Sequence, residues 1–220
     1  MKTVKVKICG ITREEDLRMV CDMGVDAVGF VVNVPSSPRN LSVETAKKLI
    51  GIVPVSVKSV LVTVPRSVNE VVTLYKKLMP NVVQIHGDNI LHISALREKL
   101  PNTMLIRAIT VNPKRVFDAS VKESEFFDAI LLDSYSRGKH GGTGVTHNWI
   151  LSRSVREAIH PKPLILAGGL NPENVKDAIR IVKPYAVDVS TGVETAPGIK
   201  DPNKVEAFIK NAKEIKLDDG

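Results

Sequence analysis

The chain alternates short apolar runs with amphipathic stretches. Eight runs rich in Val, Ile and Leu recur, at 4–9 (VKVKIC), 27–32 (AVGFVV), 57–62 (VKSVLV), 82–86 (VVQIH), 104–109 (MLIRAI), 129–133 (AILLD), 164–167 (LILA) and 186–190 (AVDVS). Their starts lie about 26 residues apart, the length of a strand-then-helix unit. Several runs are apolar throughout, as parallel strands covered on both faces would be.

Helical patterns with start signals fill most of the gaps. Thr12, with Glu15 three residues on, predicts a capping box, and Gly24 is the matching stop. Ser42 and Ser67 precede two more amphipathic stretches. Asn171-Pro172 and Asp201-Pro202 open two others, with proline in the first turn. A weaker pattern follows Asn112-Pro113, and WILSRSVREAI (149–159) reads as a further helix. Eight such units predict an α/β fold, a (β/α)8 TIM barrel forming one domain over 1–220. A doubly wound open sheet is the alternative. It would have fewer strands, and no GxGxxG follows the first run.

Composition narrows the partners. A 43% hydrophobic chain of 220 residues has a full core and is not disordered. Lys and Arg outnumber Asp and Glu by 31 to 24, a net +7 that favours anionic partners. The basic residues are dispersed and aromatics make up only 4%, which argues against nucleic acid. No apolar run is long enough to cross a membrane, and the alternating start MKTVKVKICG is not a signal peptide. A cytoplasmic protein is therefore expected. Its two cysteines, Cys9 and Cys21, would be free thiols, too few for a zinc site of four cysteines.

In a barrel, chemistry gathers at the C-terminal strand ends. Those ends hold Cys9, Pro38-Arg39, His86-Gly87, Asp133, Gly168-Gly169 and Ser190-Thr191-Gly192. Each has a plainer reading. Cys9 could be a small buried hydrophobe. Asp133 could cap its loop or act as an acid if the pocket raised its pKa. Arg39 could be a solvated charge or grip a carboxylate. His86 could be a packed histidine. The two glycine loops after the seventh and eighth strands are more specific. Glycines and helix N-termini present N–H groups to an anion, and loops in these two units form the recurring phosphate site of such barrels. The stretch GKHGGTG (138–144) reads as a flap or second anion contact, without the spacing of an ATP loop.

Taken in order, VKICGIT (5–11), DAVGFVV with SPR (26–39), VVQIHG (82–87), LLDS with GGTG (131–144), LAGGLNPENV (166–175) and VDVSTGVE with PGIKD (187–201) closely resemble phosphoribosylanthranilate isomerase of tryptophan biosynthesis. The match covers nearly the whole chain. It implies a cofactor-free, metal-free Amadori rearrangement of N-(5-phosphoribosyl)anthranilate to 1-(2-carboxyphenylamino)-1-deoxyribulose 5-phosphate. Cys9 would be the general base and Asp133 the general acid. Arg39 would hold the anthranilate carboxylate, His86 would line the substrate site, and Gly168, Gly169, Ser190, Thr191 and Gly192 would bind the phosphate. The partner would be this small molecule, in a monomer or homodimer. The chain departs from the family where the GGTG loop leads into His147-Asn148-Trp149 instead of Phe-Asp-Trp, and Thr191 stands where serine is common. Competing readings are a neighbouring phosphate-binding barrel, such as indole-glycerol-phosphate synthase or ribulose-phosphate epimerase, and a basic nucleic-acid-binding protein.

Overall fold

A computed structural model describes residues 2–87, 93–134 and 147–217. The eight apolar runs are eight parallel strands: β1 (Lys5–Cys9), β2 (Ala27–Val32), β3 (Lys58–Thr63), β4 (Val82–Ile85), β5 (Met104–Val111), β6 (Ala129–Ser134), β7 (Leu164–Leu166) and β8 (Ala186–Val189). Each pairs with the next. The sheet closes because β1 pairs with β2 on one side (Cys9 opposite Gly29) and with β8 on the other (Ile8 opposite Val189). That closure overturns the open-sheet alternative, which would leave two strand edges unpaired.

Among the described residues, eight helices cover the barrel: α1 (Glu14–Asp22), α2 (Val43–Gly51), α3 (Val68–Leu78), α4 (Ile93–Lys99), α5 (Val116–Ser124), α6 (Trp149–Ile159), α7 (Val175–Val182) and α8 (Pro202–Glu214). Ser42, Ser67 and Asp201 cap their helices as their positions imply, each accepting from a backbone N–H two or three residues on. Thr12 does not. Its hydroxyl donates to the Gly198 carbonyl at 2.6 Å, and α1 starts two residues later without a side-chain cap. Tertiary contact has taken the group that local sequence offered to the helix. Asn171 accepts from the amides of Glu173 and Asn174, so α7 begins at Val175, beyond the proline. Helix α4 carries none of the start signals and is supported by its packing on α3.

Period-two alternation along the strands makes two apolar layers. Val6 and Ile8 face outward to the helices with Leu17, Phe30, Leu61, Phe127 and Phe208. Cys9, Val31, Val60, Ile106, Leu131, Ile165 and Ala186 fill the barrel itself. Outside the barrel, Lys2–Thr3 pairs with Lys216–Leu217, tying the two ends together.

Candidate active site

All nine sequence-predicted site residues line one cleft at the C-terminal mouth of the barrel. Strand β1 brings Cys9, β4 leads to His86, β6 carries Asp133 one residue before its end, and the loops after β2, β7 and β8 bring Arg39, Gly168-Gly169 and Ser190 to Gly192. The stretch 138–144 lies outside the described residues.

The two glycine loops are built for a close approach. Gly168 and Gly169 both have left-handed backbone, at φ +82° and +68°. A Cβ on Gly168 would collide with the amide and side chain of Ser134. Neither glycine amide meets an acceptor among the described residues. In the same cleft, Ser190 Oγ is buried without a partner among those residues. Backbone N–H groups and a hydroxyl left without protein acceptors in one cleft offer a cradle for an anion.

Arg39 is already held. Its Nε and Nη2 donate to the two carboxylate oxygens of Glu194 at 2.8 and 2.5 Å, and Nη2 also donates to Thr191 Oγ1 at 3.2 Å. Lys200, fully buried, joins the same carboxylate at 2.8 Å and donates to the carbonyls of Cys9 (2.6 Å) and Ser190 (3.3 Å). Burial opposes charge on Glu194, but Arg39 and Lys200 together hold its carboxyl below the usual range. The guanidinium is thus fixed at the cleft, with Nη1 not committed to any bond among the described residues.

The two titratable candidates differ. Desolvation, reinforced by the Asp188 carboxylate, pushes Asp133 up to about 6, into the range where a carboxyl can give up a proton near neutrality. Desolvation also pushes the Cys9 thiol up. Lys7 and Lys200 pull it down and Asp188 pushes it further, and the net is upward. These surroundings disfavour the thiolate.

Sequence reasoning left several of these residues without a role. Lys7 and Asp188 face each other across the β1–β8 closure and pair at 2.9 Å inside the barrel. Asp188 stands out in sequence as the one charge in the run AVDVS, whereas Lys7 alternates with Lys5 in VKVKIC. Glu194 and Lys200 sit in the quoted motifs VSTGVE and PGIKD. Gln84, buried beneath the cleft, joins its amide Nε2 to His86 Nε2 at 2.8 Å. The His147-Asn148 departure also acquires a structure. Asn148 accepts from the Ile150 amide at 2.9 Å and so caps α6. His147 bridges Ser134 (3.1 Å) and Ser152 (2.6 Å), and burial pushes it down to about 4, so it stays neutral.

A family model described as N-(5'phosphoribosyl)anthranilate (PRA) isomerase matches residues 6–211. The N-(5'-phosphoribosyl)anthranilate isomerase of Methanothrix thermoacetophila is 43% identical, over 95% of this chain and 98% of its own length. A crystal structure of monomers made from the dimeric phosphoribosylanthranilate isomerase of Thermotoga maritima superposes with a TM-score of 0.83 at 37% identity, covering 96% of this chain and 100% of that one. A phosphoribosyl anthranilate isomerase in complex with reduced 1-(o-carboxyphenylamino)-1-deoxyribulose 5-phosphate superposes with a TM-score of 0.82 at 38% identity, with the same coverage.

Proposed function

The chain belongs to the N-(5'-phosphoribosyl)anthranilate isomerase family, and from that premise we propose that Cys9 and Asp133 carry out its Amadori rearrangement as base and acid. The observation that carries this reading is the raised carboxyl of Asp133 in the same cleft as a buried cysteine, an anion cradle and a fixed guanidinium.

The chemistry follows from these groups. The phosphate sits on the amides of Gly168, Gly169 and the Ser190–Gly192 loop. The anthranilate carboxylate meets Arg39, which Glu194 holds in place. These two charged ends position the ribose between Cys9 and Asp133. Protonated Asp133 gives its proton to the furanose ring oxygen, and the bond from that oxygen to C1 breaks. C1 and the amine nitrogen become an iminium cation. That cation lowers the pKa of a neighbouring thiol, which offsets the burial that raises Cys9. The thiolate removes the C2 proton, and the electron pair forms an enolamine. Tautomerisation places a proton on C1 and leaves the ketone at C2. His86, oriented by Gln84, lines the wall beside the sugar. The basic surface is a solvated one in this reading, and the substrate carries the anionic groups that the net charge anticipates.

We take the chain as one folding unit, since the barrel closes only when β1 meets β8. The test of the whole reading is turnover. Purified protein should consume phosphoribosylanthranilate and restore growth of a tryptophan auxotroph lacking this step. Cys9→Ala and Asp133→Asn should each lower kcat by about a hundredfold to ten-thousandfold without loss of fold, the usual range for a proton-transfer group. Either variant keeping its full kcat would end the assignment of that residue. No activity from the well-folded parent would point to a neighbouring phosphate-binding barrel.

A further inference from the structure

Cys9 can act as a base only as the thiolate, and burial works against that form. Lys7 lies two residues earlier on β1 and shares the inward face with Cys9. The backbone of Gly29 on β2 lies against both. A Cβ there would stand 2.8 Å from Cys9 Sγ and 3.3 Å from Lys7 Cε. The thiol and the lysine stem therefore lie side by side in a hollow that only glycine leaves open. On the other side, Asp188 of β8 is in register with Lys7 and accepts from its Nζ at 2.9 Å. The two side chains are 4% and 8% exposed, so this charge pair is buried in the barrel. Lys7 does not line the cleft, so it reaches the substrate only through its neighbours.

We infer that the Lys7 ammonium, anchored by Asp188, is the counter-charge that stabilises the Cys9 thiolate during proton abstraction, which makes Lys7 a positioning residue for the base. A lone ammonium in this interior would tend to lose its proton. Burial does push Lys7 down, but Asp188 and Cys9 outweigh it and keep it charged. With thiolate, ammonium and carboxylate together, the trio carries one net negative charge. When the C2 proton moves to sulfur, the trio becomes neutral. Burial and Asp188 thus favour the transfer, while Lys7 sets how much thiolate is present to accept the proton. Other charges face Cys9 as well. Lys200 and Arg39 are both tied to Glu194, and Lys200 reaches only the Cys9 carbonyl. Asp133 lies elsewhere around the cleft. Lys7 is the cation whose side chain lies beside the thiol itself, both against Gly29.

This inference rests on Cys9 being the base, so its test reads the thiol independently of turnover. In a Cys21→Ser background, thiolate formation is followed against pH by ultraviolet absorbance and by the rate of alkylation with iodoacetamide. Lys7→Met should raise the pH midpoint by about one unit or more, a tenfold loss of thiolate at a given pH. Lys7→Arg should stay near the parent. Asp188→Asn should move the midpoint the other way, downward, because the opposing negative charge is gone while the Cys9 thiolate still holds the proton on Lys7. A structural defect alone would not produce shifts of opposite sign. If Lys7→Met fails to fold, Asp188→Asn decides. An unchanged midpoint in either folded variant overturns the counter-charge role. In the kinetics, kcat of Lys7→Met should fall with KM unchanged, and the basic limb of the pH profile should follow the thiol midpoint. If the midpoint moves and kcat does not, the counter-charge stands and the assignment of Cys9 as base fails.

Discussion

The layer between strands and helices can be set against the space inside the barrel. The outer layer is filled by large side chains, with Phe30, Phe127, Phe208, Leu17 and Leu105 all buried. The inner space is filled by smaller ones, mainly Val, Ala and Ile, with Cys9 among them. It also holds the Lys7–Asp188 pair and Gln84. Large apolar groups bury the most area per residue, so the outer layer carries the larger share of hydrophobic stabilisation. Small residues inside leave room for buried polar groups, whose pairing costs desolvation and returns altered proton affinities. The difference teaches that stability and chemistry are separated by strand alternation. Neighbouring residues on β1, Ile8 and Cys9, belong to opposite sides of that division.

Four substitutions test the division, and the largest effect belongs to the outer layer. Phe208→Ala should cost about 3–5 kcal/mol in denaturant unfolding, the usual range for a fully buried Phe. Activity per folded molecule should stay at the parent level. Loss of specific activity in the folded fraction would break the separation. Next is Asp133→Asn, which acts in opposite directions on its two readouts. The folded carboxyl titrates near 6 and the unfolded one near 4, so the native state prefers the proton. The stability this contributes is full below about pH 4 and is lost as pH rises through about 6. An uncharged amide escapes that loss. The variant should be more stable than the parent by roughly 3 kcal/mol at about pH 8 and nearly equal at about pH 4, while its turnover falls. Equal stability at both pH values would remove burial as the cause of the raised carboxyl.

Arg39→Lys comes third. An ammonium cannot keep the two-pronged grip on Glu194 and also present a donor to substrate. KM should rise about tenfold, about 1.4 kcal/mol of binding, with kcat within about twofold. A fall in kcat at unchanged KM would place the arginine in the chemistry instead. The smallest effect is expected at Asn148→Ala. Loss of the α6 cap should cost about 1 kcal/mol of stability, and kcat should be unaltered. A larger drop in activity than in stability would tie this helix start to the catalytic side.

Much of the candidate site was legible because each residue sits at a strand end inside a short motif. Position and residue type together singled out Cys9, Asp133 and the glycine loops. Lys7 and Asp188 were not singled out, because their pairing joins strands 181 residues apart and no local pattern announces it. Arg39 was read as a free clamp for substrate, and only the structure shows that Glu194, 155 residues on, orients it. Thr12 shows the reverse case, where a good local signal loses to a tertiary bond with Gly198.

The sequence by itself determined the eight strands and seven of the helices between them, their order and the side of the barrel that carries chemistry. Those follow from periodicity, caps and chain direction, which act within a few residues. Tertiary structure alone decided the ionisation of the site. The proton affinities of Cys9 and Asp133 depend on burial and on charges from β8 and from the Ile199–Lys200 segment, brought within bonding distance only when the barrel closes. Electrostatic interaction depends on distance through the fold and on the local dielectric, and neither is written in the spacing along the chain.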